Sequence, residues 1–152
     1  MKSITYIMLL FLCLATEAKS NDIVKQIQNN RPRISKVWAT KLAVTIDRLA
    51  RKHNVDAKLI AAMIYVESSY RMVRRGHDYG LMQVNTRFHK VNKRKMLTNK
   101  EYSIEAGVVI LKELLKKHDL NEAIARYNCG YQKGCTEWRV VKEYVKRVKR
   151  SY

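Results

Sequence analysis

The chain has 152 residues, which is enough for one domain with a modest hydrophobic core and too few for several. Hydrophobic residues make up 47% of it, which excludes intrinsic disorder as the default. Its 31 Lys and Arg residues against 13 Asp and Glu give a net charge of +18. Such a charge favours polyanionic partners, namely wall polymers, anionic lipid surfaces or nucleic acid, although a merely solvated basic surface is the plainer interpretation.

Residues 1–20 have the layout of a secretory signal peptide. Lys2 gives a positive start, and an almost wholly apolar run follows at residues 4–15. This run is shorter than the roughly 20 residues of a membrane-spanning helix, which favours a removed leader over an uncleaved anchor. Cleavage after Ala18 and cleavage after Ser20 both fit the pattern. The sequence therefore predicts export to the periplasm, the cell envelope or the exterior.

Apolar residues with helical spacing predict an all-α fold in one globular domain. A short helix lies in an N-terminal extension at residues 21–34, the main domain spans 35–130, and a basic amphipathic helix at 131–152 packs on it. No convincing strand pattern appears, although residues 74–80 fit a minor hairpin. Polar residues that suit helix N-caps give the predicted helix starts, which are Ser35, Asp56, Ser103 and Asn121.

Glu67 is the first candidate for chemistry. It ends the apolar stretch at residues 59–66, which predicts a buried helix. A carboxyl group in that position is partly desolvated, which disfavours its charged form and raises its pKa. A carboxylic acid that stays protonated near neutral pH can protonate a poor leaving group. A solvated glutamate at a helix end is the ordinary alternative.

A tight turn is predicted at residues 78–85. Gly80 permits a close approach of the backbone, and Leu81 and Met82 anchor the turn in the core. Gln83 presents an amide group, which suits neutral ligands that carry hydroxyl and acetamido groups, such as sugars. The two stretches together indicate a carboxylic acid beside a sugar-binding turn.

Cys129 and Cys135 are the only cysteines that remain once the predicted leader is removed. In an oxidising compartment such a pair is most simply a disulfide. A metal site is the rival, but no further His or Cys lies nearby at ligand spacing. We therefore expect a disulfide that holds the turn after Asn128, and no metal.

Three motifs in order carry a family resemblance. They are E-S-S-Y at residues 67–70, G-L-M-Q-V-N at 80–85 and A-R-Y-N-C-G at 125–130. Together they resemble the soluble lytic transglycosylase (SLT) family, whose catalytic domain has a goose-type, lysozyme-like fold. The resemblance covers roughly residues 35–130, and the D-Y-G triplet at 78–80 is similar to small single-domain members associated with secretion, conjugation or phage particles. It implies that 35–130 is a catalytic domain acting on peptidoglycan.

The resemblance also implies a role for each matching residue. Glu67 protonates the glycosidic oxygen between N-acetylmuramic acid and N-acetylglucosamine, and then acts as the base on the muramyl 6-hydroxyl, which closes a 1,6-anhydro ring. Tyr127 orients the Glu67 carboxyl. No cofactor and no metal are implied. The residues that the resemblance assigns to substrate binding are Ser68, Gly80, Leu81, Met82, Gln83, Tyr127 and Asn128.

Several alternatives stay open at this stage. Asp78 is the nearest acidic residue within the motifs, and as a second carboxylate facing Glu67 it would permit hydrolysis by a muramidase mechanism. A non-enzymatic cationic wall-binding protein is the third function considered. The alternative for Tyr127 is a structural role as a core tyrosine, whose buried hydroxyl only needs some hydrogen-bond partner. Leu81 and Met82 fit core packing.

The expected partners are peptidoglycan glycan strands, bound by a monomer. Anionic wall polymers, a secretion or conjugation apparatus and a phage particle remain further candidates. Specific nucleic-acid binding is not expected, because the sequence contains no known motif that reads nucleic acids.

Overall fold

The computed structural model describes residues 20–152, so most of the predicted leader lies outside the described residues. About two thirds of the described residues lie in helices, which confirms the all-α prediction. Within it, no helix has both the length and the apolar character needed to cross a membrane. The helices are α1 (residues 20–30 of the described chain), α2 (Lys36–His53), α3 (Ala57–Ser68), α4 (Lys93–Thr98), α5 (Lys100–Leu115), α6 (Leu120–Cys129) and α7 (Arg139–Ser151), with a 3-10 turn at Cys135–Glu137.

Helix α3 lies at the centre of the core. Its side chains Ile60, Met63 and Ile64 are fully buried, and α2 and α7 pack against it. Asp56 caps its start as predicted, because its carboxylate accepts hydrogen bonds from the first backbone N–H groups of the helix. Burial of each large aliphatic side chain contributes about 1.5–3 kcal/mol, so the helix that ends at Glu67 is firmly held.

The minor hairpin predicted near residues 74–80 is present and gains a third strand. Strands β1 (Arg74–Arg75), β2 (Asp78–Tyr79) and β3 (Val84–Asn85) form an antiparallel sheet in that order. Together with α4 they enclose a small separate cluster of Tyr79, Val84 and Met96. We call residues 71–98 the β-lobe.

Two of the predicted helix starts differ from the structure. Helix α5 is capped by Asn99, not by Ser103, and α6 is capped by Asp119, not by Asn121. Ser35 does stand at the start of α2, but its side chain makes no capping hydrogen bond. In α5 and α6 the true cap lies a few residues earlier, among polar residues that give no apolar signal for the exact boundary.

The N-terminal extension packs onto the same core. Ile23 of α1 is 1% exposed within the main cluster. Arg31 Nη1 donates a hydrogen bond to the Ser69 carbonyl at 2.7 Å, just beyond the end of α3. Asn30 Nδ2 donates to the Ser151 carbonyl at 3.0 Å, at the end of α7. The extension therefore links the C-terminal end of α3, the helix that carries Glu67, to the C-terminal end of α7.

Candidate active site

Glu67 occupies the last turn of α3, and its side chain is only partly exposed. The hydroxyl of Tyr144 donates a hydrogen bond to Glu67 Oε1 at 2.6 Å. Burial raises the pKa of Glu67 to about 7, although the Tyr144 hydrogen bond opposes the shift. The negative charge of Asp78 adds to the increase, and Arg75 and Arg147 reduce it. Near neutral pH this carboxyl group therefore exchanges a proton readily, as an acid and as a base.

Tyr144 is the site residue that sequence reasoning missed. It belongs to α7, where Val141, Tyr144 and Val148 form the buried face. Burial raises the pKa of its hydroxyl, so Tyr144 stays a neutral hydrogen-bond donor. The sequence does give one signal for this residue, namely a tyrosine within the apolar stripe of a helix. A buried phenol hydroxyl requires a polar partner, so such a tyrosine is expected to hydrogen-bond to another group. The sequence does not indicate which partner that is.

The hydroxyl of Tyr127 has a partner within the motif sequence. It donates a hydrogen bond to the Met82 backbone carbonyl at 2.8 Å and not to Glu67. The side chain is partly buried. That Tyr127 orients the Glu67 carboxyl stays a prediction, and the hydrogen bond to Glu67 comes from Tyr144.

Three helices hold the turn at residues 80–83, which we call the motif turn. The hydroxyl of Ser68 on α3 donates to the Leu81 carbonyl at 2.8 Å. The Leu81 N–H donates in turn to the Ser103 hydroxyl on α5 at 2.7 Å. Tyr127 on α6 supplies the third link, through Met82. The motif turn is therefore fixed against the helix that carries Glu67.

Several of the residues predicted to bind substrate have side chains that lie inside the protein. Ser68, Leu81 and Met82 are fully buried, so their side chains serve packing and hydrogen bonding within the protein. Gly80 is buried as well, with a φ of +82°, and a Cβ atom there would lie 2.7 Å from the Met96 carbonyl. Only glycine fits that combination of conformation and space.

Gln83 also serves mainly to close the motif turn. It has a positive φ of +47°, and its amide nitrogen donates to the carbonyls of Val73 at 3.0 Å and Gly80 at 2.7 Å. Its Oε1 is buried and accepts no hydrogen bond from the described part of the chain. That oxygen is the polar atom of Gln83 still available to a donor.

Asp78 and Asn128 are the predicted polar residues that remain accessible at this site. Asp78 lies on β2 and is partly buried, and its negative charge contributes to the raised pKa of both Glu67 and Tyr127. Asn128 is exposed in the last turn of α6. Among residues 20–152, no three His, Cys, Asp or Glu side chains come together as metal ligands do.

The predicted disulfide between Cys129 and Cys135 is present, with a Cα–Cα distance of 6.1 Å. It joins the end of α6 to the 3-10 turn that leads into α7. We expect the Cys129→Ser/Cys135→Ser variant to turn over substrate several-fold more slowly, because the link between Asn128 and the helix carrying Tyr144 is loosened. Turnover assays with and without dithiothreitol test this. Equal rates for the variant and the oxidised wild type would contradict it, and the variant itself should not respond to the reductant.

Gly107 of α5 allows the motif turn to pack closely. A Cβ atom at this position would lie 2.5 Å from Met82 Cβ and 2.7 Å from the Tyr127 hydroxyl oxygen. We expect Gly107→Ala to lower the free energy of unfolding by about 1–3 kcal/mol through overpacking, despite the better helix propensity of alanine. Urea denaturation measures this. Val109→Ala, at an exposed position of the same helix, is the control, and a Gly107→Ala protein as stable as the wild type would overturn the expectation.

Comparison with known proteins identifies the family of this domain. The family described as "Transglycosylase SLT domain" matches residues 45–148. No curated protein matches the chain. The family match runs beyond residue 130 and includes α7 up to residue 148, so it covers both Glu67 and Tyr144 as well as the motif turn. More than half of the chain is matched, and this protein therefore belongs to the SLT transglycosylase family, with its lysozyme-like all-α fold.

Proposed function

We propose that this protein is a peptidoglycan lytic transglycosylase that cleaves the bond between N-acetylmuramic acid and N-acetylglucosamine and forms 1,6-anhydro-N-acetylmuramic acid. Family membership supports a transglycosylase-type enzyme acting on peptidoglycan. The formation of the 1,6-anhydro product is supported by the Glu67 carboxyl group. Burial raises its pKa to about 7, and it accepts a hydrogen bond from Tyr144. Such a group can serve as the acid in one step and as the base in the next.

In the first step, protonated Glu67 donates its proton to the glycosidic oxygen, and the bond to C1 of the muramyl residue breaks. The resulting carboxylate is stabilised by the Tyr144 hydroxyl and faces a sugar with oxocarbenium character at C1. Glu67 then removes the proton from the muramyl 6-hydroxyl as its oxygen attacks C1. The ring closes, Glu67 is protonated again, and no water is consumed.

Hydrolysis is the second candidate, and the position of Asp78 favours it. The negative charge of Asp78 contributes to the raised pKa of Glu67, which supports Asp78 as a second carboxylate of the site. In that mechanism Asp78 activates a water molecule or stabilises the developing cation. The product then has a reducing end in place of the anhydro ring.

Mass spectrometry of the muropeptides released from purified peptidoglycan distinguishes the two reactions. We expect products lighter by one water than reducing-end muropeptides, from the wild type and from Asp78→Asn alike. Reducing-end products that disappear in Asp78→Asn would replace the proposal with hydrolysis. Release of no product by the wild type would favour the third function, a cationic protein that binds the wall without cleaving it.

We also propose where the protein acts and which partners it meets there. The leader-like residues 1–20 support export to the periplasm, the cell envelope or the exterior. Peptidoglycan strands are the substrate, and the protein acts as a monomer. The positive charge and the D-Y-G triplet at residues 78–80 are compatible with further partners. These are anionic wall polymers, a secretion or conjugation apparatus, or a phage particle.

A further inference from the structure

The β-lobe carries positive charge that its own fold does not neutralise. Residues 71–98 contain one acid, Asp78, against eight bases. None of these bases forms an ion pair within the described chain, whereas bases of other elements do, such as Arg48 with Glu101. Their mutual repulsion opposes folding, which makes an external anion a favourable partner. The eight bases are Arg71, Arg74, Arg75, Arg87, Lys90, Lys93, Arg94 and Lys95.

Four of the eight bases have no side-chain partner within the described chain, and they lie on either side of Phe88 in the sequence. Arg87, Lys90, Lys93 and Arg94 make no side-chain hydrogen bond and no ion pair within residues 20–152. The other four bases of the β-lobe contact backbone carbonyls or aromatic rings. The unpartnered cations are therefore concentrated at one part of the lobe, between β3 and the first turn of α4.

Phe88 projects from the middle of this cationic segment. Its side chain is 80% exposed. The turn that carries it is ordered by Asn85, whose carbonyl accepts the N–H groups of Phe88 at 3.3 Å and His89 at 3.1 Å. The Asn85 side chain accepts the Arg87 N–H at 2.9 Å. An ordered turn thus exposes an aromatic ring in a segment of the sequence that also carries four exposed cations.

The chemistry of this surface distinguishes between classes of partner. A phenylalanine ring has no polar atom, so it gains free energy mainly by leaving water for an apolar environment. A soluble polyanion pairs with the cations but does not offer such an environment. An anionic bilayer offers both, because phosphates lie at its surface and the acyl boundary lies just beneath.

We propose that residues 86–95 form a peripheral docking site for an anionic phospholipid surface. Phe88 inserts at the boundary between headgroups and acyl chains, and Arg87, Lys90, Lys93 and Arg94 contact the phosphates. None of these five residues is hydrogen-bonded to the Glu67 carboxyl, and the association needs no membrane-spanning segment. Binding therefore weakens as the salt concentration rises, because surface charges are screened.

Co-sedimentation of the full chain with phosphatidylcholine vesicles, with and without phosphatidylglycerol, tests the proposal. We expect binding only when phosphatidylglycerol is present. Phe88→Ser should weaken it about tenfold, from the lost burial of the ring. Lys93→Gln/Arg94→Gln should weaken it about 25-fold, since each cation near such a surface contributes roughly a factor of five. Val140→Ser, at an exposed valine of the basic helix α7, is the matched control and should bind as the wild type does.

Two results would overturn membrane docking. Binding to phosphatidylglycerol vesicles that Phe88→Ser leaves unchanged would indicate a general polyanion surface with no insertion. Loss of binding to purified peptidoglycan by Lys93→Gln/Arg94→Gln, with vesicle binding intact, would assign the lobe to the substrate. A Phe88→Trp variant adds a direct readout, because its fluorescence shifts to the blue when the ring enters the bilayer, and an unshifted spectrum contradicts insertion. The vesicles contain no glycan, so these outcomes do not depend on whether the protein is a lytic transglycosylase.

Discussion

Glu67→Gln should reduce the release of muropeptides by a factor on the order of 10³–10⁴, because a single group supplies both the acid and the base. The amide has almost the same shape as the carboxyl group and still accepts the hydrogen bond from Tyr144, so the fold should be retained. Turnover assays on purified peptidoglycan measure the effect. As a control, Glu113→Gln removes an exposed carboxylate on α5 and should leave turnover unchanged. Substantial residual activity in Glu67→Gln would place the chemistry elsewhere.

The same carboxyl group makes both rate and stability depend on pH. In the proposed mechanism Glu67 must be protonated to begin the reaction, so wild-type turnover should fall as the pH rises through about 7, the pKa of Glu67. Its folded pKa lies above the unfolded value, so the folded state binds the proton more tightly and stability decreases as the pH rises from about 4.5 through about 7. Glu67→Gln should therefore melt at a higher temperature than the wild type at pH values above 7, and the difference should shrink in acid.

Tyr144→Phe should lower turnover by about 10- to 100-fold, because a hydrogen bond to a charged group contributes about 1.5–3 kcal/mol. Tyr144 donates a hydrogen bond to the Glu67 carboxyl, and in the proposed mechanism it stabilises the carboxylate that forms after proton donation. Its hydrogen bond lowers the pKa of Glu67, so its loss should also move the alkaline limb of the pH–rate profile to higher pH. Turnover measured across a pH series tests both effects in one experiment.

Tyr127→Phe is the matched control for this prediction. It removes the hydrogen bond to the Met82 carbonyl and leaves that buried acceptor without a partner, which should cost about 1–3 kcal/mol of stability. The pH–rate profile should keep its position, because the Tyr127 hydroxyl donates its hydrogen bond to Met82 and not to Glu67. A shift of the profile in Tyr127→Phe, and none in Tyr144→Phe, would support the role that the family resemblance implies for Tyr127.

The sequence by itself determined the features that depend on local pattern. Helical spacing of apolar residues identified an all-α domain, and the apolar stretch at residues 59–66 identified Glu67 as a carboxyl group with a raised pKa. The cap at Asp56 and the Cys129–Cys135 disulfide followed from residue types at short spacing. In each case the relevant residues lie within a few positions of one another, so the chemistry can be inferred before the helices are packed.

Only the tertiary structure decided which side chains meet. Tyr144 lies 77 positions from Glu67, and the packing of α7 against α3 brings the two together. Ser103 fits a helix cap by composition, yet its hydroxyl accepts a hydrogen bond from the motif turn. The need for glycine at position 107 arises from Met82 and Tyr127, which approach from other elements. These contacts depend on the relative placement of whole helices, and the periodic pattern along one helix carries no information about its neighbours' registers.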